Sequence, residues 1–570
     1  MIDLLIVLGY FLLIFAIALT GRTGEEATTE QYFLSNRNLR WPSIALSTIA
    51  TNIQGFQFLG MMGSAYLYGL AQANLEINAV QGILLAAFVF VPLYLRERVM
   101  TITQFIQKRL GKAVGLAYSM ANIGLFATVT LGMAFFWGAY AADLVFAEYL
   151  MFISEEPLIR MSVLIVGIGL FSATYTYLGG LSAVVKTDVI QFGILFLGGA
   201  TVLFVALQEL GGWSQLYEKT PDLMHLHLPA EHEKLPWTHL FGLFFLNINY
   251  WCANQTVMQR SLAAKSLREA QIGLMVGGVT KYAMAVLIVI PGIALVGIIG
   301  QSGLASPDEA FPYLVKTYLP TGIKGIILCG LFASLMSTVD STFNSLATLF
   351  SIDIYQGFLR PQASEQEVVK TGRLTILVTF FTGVTMGLYL LQLKFSDPDA
   401  AFTHQLNEIR YYINCGIVVL ICTAVLVLAP NKIGVLVAFL LTIPLNFVIK
   451  ETLPELNYFV RAGIVIVVGL LTAILASGVA HRSLRIRWQG VLLGIGLGYG
   501  LWLLLPYLAP TLDTASMPGI AGTFALLMIL TTSWRGFRPW RELVQYDSKE
   551  ILYLGAALLA SLVALHVVFH

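Results

Sequence analysis

Apolar runs of about twenty residues recur along nearly the whole of this chain, and no other feature restricts its fold so severely. In hydrocarbon every backbone amide and carbonyl must be paired within the protein, so such runs cross as α-helices. About sixteen candidate spans can be marked: 2–20, 41–66, 77–96, 113–148, 158–178, 183–208, 238–258, 271–300, 322–353, 371–394, 405–429, 432–449, 458–480, 487–507, 517–535 and 549–569. Hydrophobic residues are 57% of the 570 and charged residues only 11%, which excludes a set of water-soluble domains. The 33 basic and 32 acidic residues nearly cancel, so no overall field draws the chain to nucleic acid. Cys252, Cys329, Cys415 and Cys422 lie in apolar runs without paired spacing and read as small buried hydrophobes. The stretch from Ile2 to Thr20 lacks a basic leader and a small-residue cleavage signal, and reads as a retained first span.

Lys and Arg concentrate in alternate connections. With the N-terminus outside, the inner connections hold more than twice as many of them as the outer ones, which predicts that orientation and an even number of spans. Arg260 counts here as an inner-connection residue, beside Lys265 and Arg268. Two spans are polar at mid-length, where lipid demands an unbroken helix: Thr48 to Gln57 in the second and Asn247 to Gln255 in the seventh. Interrupted backbone at that depth is tolerated only around a cavity or inside protein. The two lie five spans apart, an odd displacement that inverts the second unit. The pattern predicts an inverted repeat whose broken first helices meet at a midplane site; the other reading is two polar helices satisfied by their neighbours.

Four stretches sharpen this: STIATNIQGFQFLGM (47–61), YLGGLSAVVKTDVIQ (177–191), NQTVMQRSLAAKSLREAQ (254–271) and STVDSTFNSLATLFSIDIY (337–355). In this order they resemble the solute:sodium symporter family, in its sodium/glucose cotransporter branch and its bacterial sodium/galactose type, from about Ser47 to about Gly416. The resemblance implies an all-α polytopic membrane protein with a ten-helix, five-plus-five core. The expected division is an N-terminal helix and cytoplasmic loop (1–40), a first repeat (41–210), a second repeat (211–430) and C-terminal accessory helices (431–570).

The resemblance also implies that Na+ is held by the carbonyls of Ala50, Ile53 and Ser334 and the hydroxyls of Ser337 and Thr338. Asp188 and Asp340 fall inside apolar spans, where an ionisable group is a functional hypothesis by default. With Ser341 they suggest a second cation or a proton, since Asp340 stands where some family members have a hydroxyl; a structural pairing of Asp340 with a basic neighbour is the alternative. Asn52, Gln57, Glu76, Asn247, Tyr250 and Lys281 match solute contacts of the galactose type, Tyr250 also as an inner gate. Amides that donate and accept suit a ring of hydroxyls, and one Glu with one Lys leaves the site near neutral.

Departures are Asn407 in place of Gln, and an outer lid of Met61, Leu75 and Thr403. Arg410, near Glu408, favours an anionic solute if it reaches the cavity. The loop His225-Leu-His227 to His232 reads as solvated, without a full zinc ligand set. No His, Cys or Ser constellation with a base suggests an enzyme, and a channel does not require two broken helices at a closed site. The expectation is a plasma-membrane symporter, in a bacterium of the inner membrane, importing a sugar or polyol with Na+. A sodium- or proton-coupled symporter of sialic acid or an amino acid is the runner-up.

Overall fold

The computed structural model describes residues 2–24, 26–55, 57–396, 402–480, 488–508, 521–522, 524–525 and 536–570. Within these the chain is helical almost throughout, and 11 helical stretches are long and apolar enough to cross a membrane. In chain order the helices are α1 (Ile2–Leu19), α2 (Trp41–Asn52), α3 (57–68), α4 (79–96), α5 (Lys112–Leu150), α6 (157–179) and α7 (181–210). There follow α8 (His239–Cys252), α9 (Gln255–Leu262), α10 (Leu267–Ile299), α11 (Ile323–Leu359), α12 (Glu365–Ser396) and α13 (Phe402–Leu426). The last are α14 (Lys432–Thr452), α15 (Tyr458–Ala480), α16 (Trp488–Leu508) and α17 (Lys549–Val568). Every predicted span has a counterpart here except 517–535, which lies largely outside the described residues.

One motif appears twice. A helix broken at mid-length (α2/α3, then α8/α9) precedes four helices (α4–α7, then α10–α13), as an inverted five-plus-five repeat requires. Spans five and six of the prediction are one continuous run, Pro157–Leu210, bent at Gly180. There φ is +54°, and a Cβ would stand 2.3 Å from the Tyr32 carbonyl, so only glycine fits. Gly82 serves close approach instead: a Cβ on it would lie 2.7 Å from the Asn247 carbonyl, and its absence lets α4 press against the broken helix α8.

Burial is graded outward. In the most apolar stretch of α11, 94% of residues are buried, against 22% for α1 and for α17. α11 packs along both α6 and α7, and α1 covers that pair from outside. Asp3 of α1 accepts from the Gly322 and Gly325 amides at 2.7 and 2.6 Å, placing an anion at the N-terminus of α11. At the start of α10, Ser266 accepts from the Glu269 amide while Glu269 accepts from the Trp41 amide, so one capping side chain joins the beginnings of two core helices. α14 and α15 brace α13, and α15 also packs on α8. The four cysteines are buried and unpaired.

Candidate functional site

The first break begins where α2 ends. Ile53 turns to extended backbone (φ −86°, ψ 116°), so carbonyls in the last turn lose the amides that a continuous helix would bring. The Gln57 side chain takes the Gln54 amide at 2.5 Å. Side chains of α11 take the carbonyls: Ser334 Oγ donates to Ile53 O at 3.1 Å, and Thr338 Oγ1 to Thr51 O at 3.3 Å and Ser334 O at 3.1 Å. Of the five residues expected at the sodium site, Ile53, Ser334 and Thr338 thus share one junction of carbonyls and hydroxyls, with Ala50 buried in the adjoining turn of α2. These hard neutral oxygens are the chemistry a dehydrated alkali cation needs, and they fit sodium. Ser337 is on the adjoining face, where its hydroxyl donates to Asp188 Oδ1 at 2.5 Å.

Asp188 has a second partner that the sequence assigned to a connection. Arg260, on the half-helix α9 that follows the second break, is fully buried. Its Nη2 donates to Asp188 Oδ2 at 3.0 Å, to Thr51 Oγ1 at 2.7 Å and to Ser341 Oγ, and its Nε to Ser47 Oγ at 2.8 Å. Counting Arg260 among the loop cations is therefore corrected: α9 carries it inward, and the Thr256 carbonyl one turn back accepts from Nη1. Asp188, not Asp340, takes the guanidinium. Asp340 accepts from Tyr175 OH at 2.5 Å and from Ser341 Oγ at 3.2 Å. Two buried carboxylates and one guanidinium are joined through hydroxyls, beside the first junction.

The polar residues expected at the solute site line one cavity of about 360 Å³, a volume suited to a small ligand. Lys281 bridges its wall, donating to Asn52 Oδ1 at 2.6 Å and to Glu76 Oε2. Gln57 Nε2 reaches Glu76 Oε1 at 2.8 Å, and Asn247 Nδ2 reaches Asn78 O at 3.0 Å. Glu76 and Lys281 are 3% and 1% exposed, so the pair is dry and nearly neutral in sum. Tyr250, Met61 and Leu75 also face the cavity, as does Thr338 of the cation junction. The side chains of Thr403 and Asn407 lie outside the described residues.

Arg410 reaches the cavity, but its expected neighbour Glu408 pairs with Lys450 at 2.7 Å and with Arg461, both from accessory helices. The expectation of a solvated histidine loop agrees with exposed His225, Glu231 and Glu233 but is corrected at His227. His227 Nε2 meets His566 Nδ1 of α17 at 3.0 Å, His566 Nε2 meets Asn78 Oδ1 at 3.1 Å, and the Leu226 amide donates to Phe569 O at 2.7 Å. Burial first, then the charges of His566 and His570, push the His227 imidazole down to about 4.

Two interrupted helices related by an inverted repeat, with a polar cavity and a carbonyl–hydroxyl junction between them, define a secondary transporter. Residues 32–389 match the Sodium:solute symporter family, and the chain belongs to that family, whose members are symporters and not enzymes. It is 32% identical to a sodium/glucose cotransporter of Vibrio parahaemolyticus over 407 residues, 66% of this chain and 73% of that one. It is 30% identical to sodium/glucose cotransporter 4 of Mus musculus over 76% of this chain and 66% of the relative, and 30% identical to sodium/myo-inositol cotransporter 2 of Oryctolagus cuniculus over 67% and 60%. The matched part thus spans from three fifths to nearly three quarters of these relatives. Among solved structures, a sodium-coupled sialic acid symporter in a substrate-bound, outward-open state superposes with a TM-score of 0.74 at 20% identity, covering 84% of this chain and 98% of that one; this likeness is one of fold.

Proposed function

We propose that this protein couples Na+ to the import of a small polyhydroxylated solute by alternating access. The observation that carries the reading is that both broken helices border the cavity holding Asn52, Gln57, Glu76, Asn247 and Lys281, with Thr338 of the cation junction in its lining. Sodium at Ala50, Ile53, Ser334 and Thr338, with Ser337 adjoining, ties α2 to α11. Solute hydroxyls then meet the amides and the Glu76–Lys281 pair, under a lid containing Met61 and Leu75 and above Tyr250. Inward opening parts α11 from α2 and takes the sodium oxygens apart. The second-cation reading of Asp188, Asp340 and Ser341 narrows to Asp340, because the Arg260 guanidinium already occupies Asp188 and Ser341.

Coupling requires sodium to bind the solute-competent state more tightly than the other. One ion crossing about 100 mV gains about 2.3 kcal/mol. A tenfold gradient adds about 1.4 kcal/mol, and together they support roughly 500-fold accumulation of a neutral solute. The test is uptake of labelled sugar into proteoliposomes under an imposed sodium gradient. Uptake should collapse when potassium replaces sodium; equal uptake in both removes the coupling.

A further inference from the structure

On α13 the cavity is lined by one anion, Glu408, and one cation, Arg410, and the anion is already taken. Glu408 gives its one carboxylate to two cations, Arg461 and Lys450. Two residues on, Arg410 faces the same cavity beside Tyr411, Asn414 and Tyr458. Among the described residues no carboxylate pairs with it. Its guanidinium lies 5.4 Å from the Tyr411 ring centroid, and among the described residues no acceptor meets its Nε. On the opposite wall Lys281 and Glu76 cancel. Of the four ionised groups that line the cavity, Glu76, Lys281, Glu408 and Arg410, Arg410 is thus the one that no described group of opposite charge pairs with.

A guanidinium at a cavity wall without a carboxylate partner is poorly compensated, and a ligand that brings an anion to it recovers that cost on binding. Sugar hydroxyls are weak, single acceptors. A carboxylate presents two oxygens in the spacing of the guanidinium fork and brings the missing negative charge. We infer, resting on the symport reading above, that the solute is a polyhydroxylated carboxylate of hexuronate or aldonate type, its acid group held by Arg410 and its hydroxyls by Asn52, Gln57, Glu76 and Asn247. Each cycle then moves one positive charge fewer than it would with a neutral hexose.

Matched pairs test this without reliance on any variant. Binding of D-galacturonate against D-galactose, and of D-glucuronate against D-glucose, is measured on the full chain in sodium. The acid is expected to bind about tenfold tighter or more in each pair. Arg410→Gln should erase most of that preference by weakening the acid far more than the neutral sugar, and Arg410→Lys should restore part of it. Equal or tighter binding of the neutral sugars to the unaltered protein overturns the inference, as does an equal loss for both on Arg410→Gln. If sodium drives uptake of the neutral hexoses but not of the acids, this inference falls and the symport reading stands. If sodium drives neither, both fall.

Discussion

The molecule buries two pairs of opposite charge near its broken helices, and they differ in what surrounds them. Glu76–Lys281 stands in the wall of a cavity, with Asn52 and Gln57 completing its hydrogen bonds and open space on one side. Asp188–Arg260 is closed on every side that its bonds show, by Ser47, Thr51, Ser337 and Ser341 from α2 and α11. A pair beside space can exchange partners with an arriving hydroxyl. A sealed pair fixes the helices that carry it, here α7, α9, α2 and α11. In the proposed function the same chemistry thus serves as a recognition surface in one place, while it fastens helices in the other.

Breaking the fastener should have the largest effect. Asp188→Asn or Arg260→Gln leaves an uncompensated buried charge and should cost about 3–5 kcal/mol, read as a fall in the thermal unfolding midpoint in detergent. The double variant should lose clearly less than the sum of the two; an additive loss would show that the pair is not a unit. Glu76→Gln should cost about 2 kcal/mol in solute binding, roughly 30-fold, and lower the unfolding midpoint by less than Asp188→Asn, because Lys281 keeps Asn52 and borders the cavity. A stability loss as large as that of Asp188→Asn would abolish the distinction. Thr338→Ala should raise the sodium concentration for half-maximal uptake by about 1 kcal/mol, roughly fivefold, and leave solute affinity at saturating sodium nearly intact.

The smallest effect concerns pH. A histidine held at about 4 in the folded protein and near 6.5 when unfolded binds more protons unfolded between those values, so stability falls as pH drops through that window. The protection factors of residues 221–228 against hydrogen exchange, corrected for the intrinsic rate at each pH, should fall between about pH 6.5 and pH 4. His227→Gln should flatten that dependence.

Much of the fold was legible because lipid permits so few backbones. Runs of apolar residues mark helices, and Asn, Gln and Gly at mid-span mark the breaks, since only a cavity or protein tolerates them there. The oxygens proposed to hold sodium came from motif resemblance; spacing alone shows that Ser334, Ser337 and Thr338 lie near one helical face, not what faces them. Arg260 escaped because a cation near the end of a span reads as a loop residue. The available signal was its place one turn after Thr256 in a half-helix that starts at a break. The clamp on Glu408 was beyond sequence reading, as no local periodicity joins it to Lys450 or Arg461 on other helices. The closure of α17 on His227 was missed for the same reason.

Leu226 is gripped at both ends of its peptide plane neighbourhood: Phe569 holds its amide, and Asn74, two positions before Glu76, holds its carbonyl at 2.6 Å. The segment leading to Glu76 is thereby tied to the last turn of α17, where Val567 is 53% exposed. A fluorophore attached there would signal solute arrival by its change in surroundings while leaving the pocket chemically untouched, which makes the transporter convertible into a reporter of its own cargo.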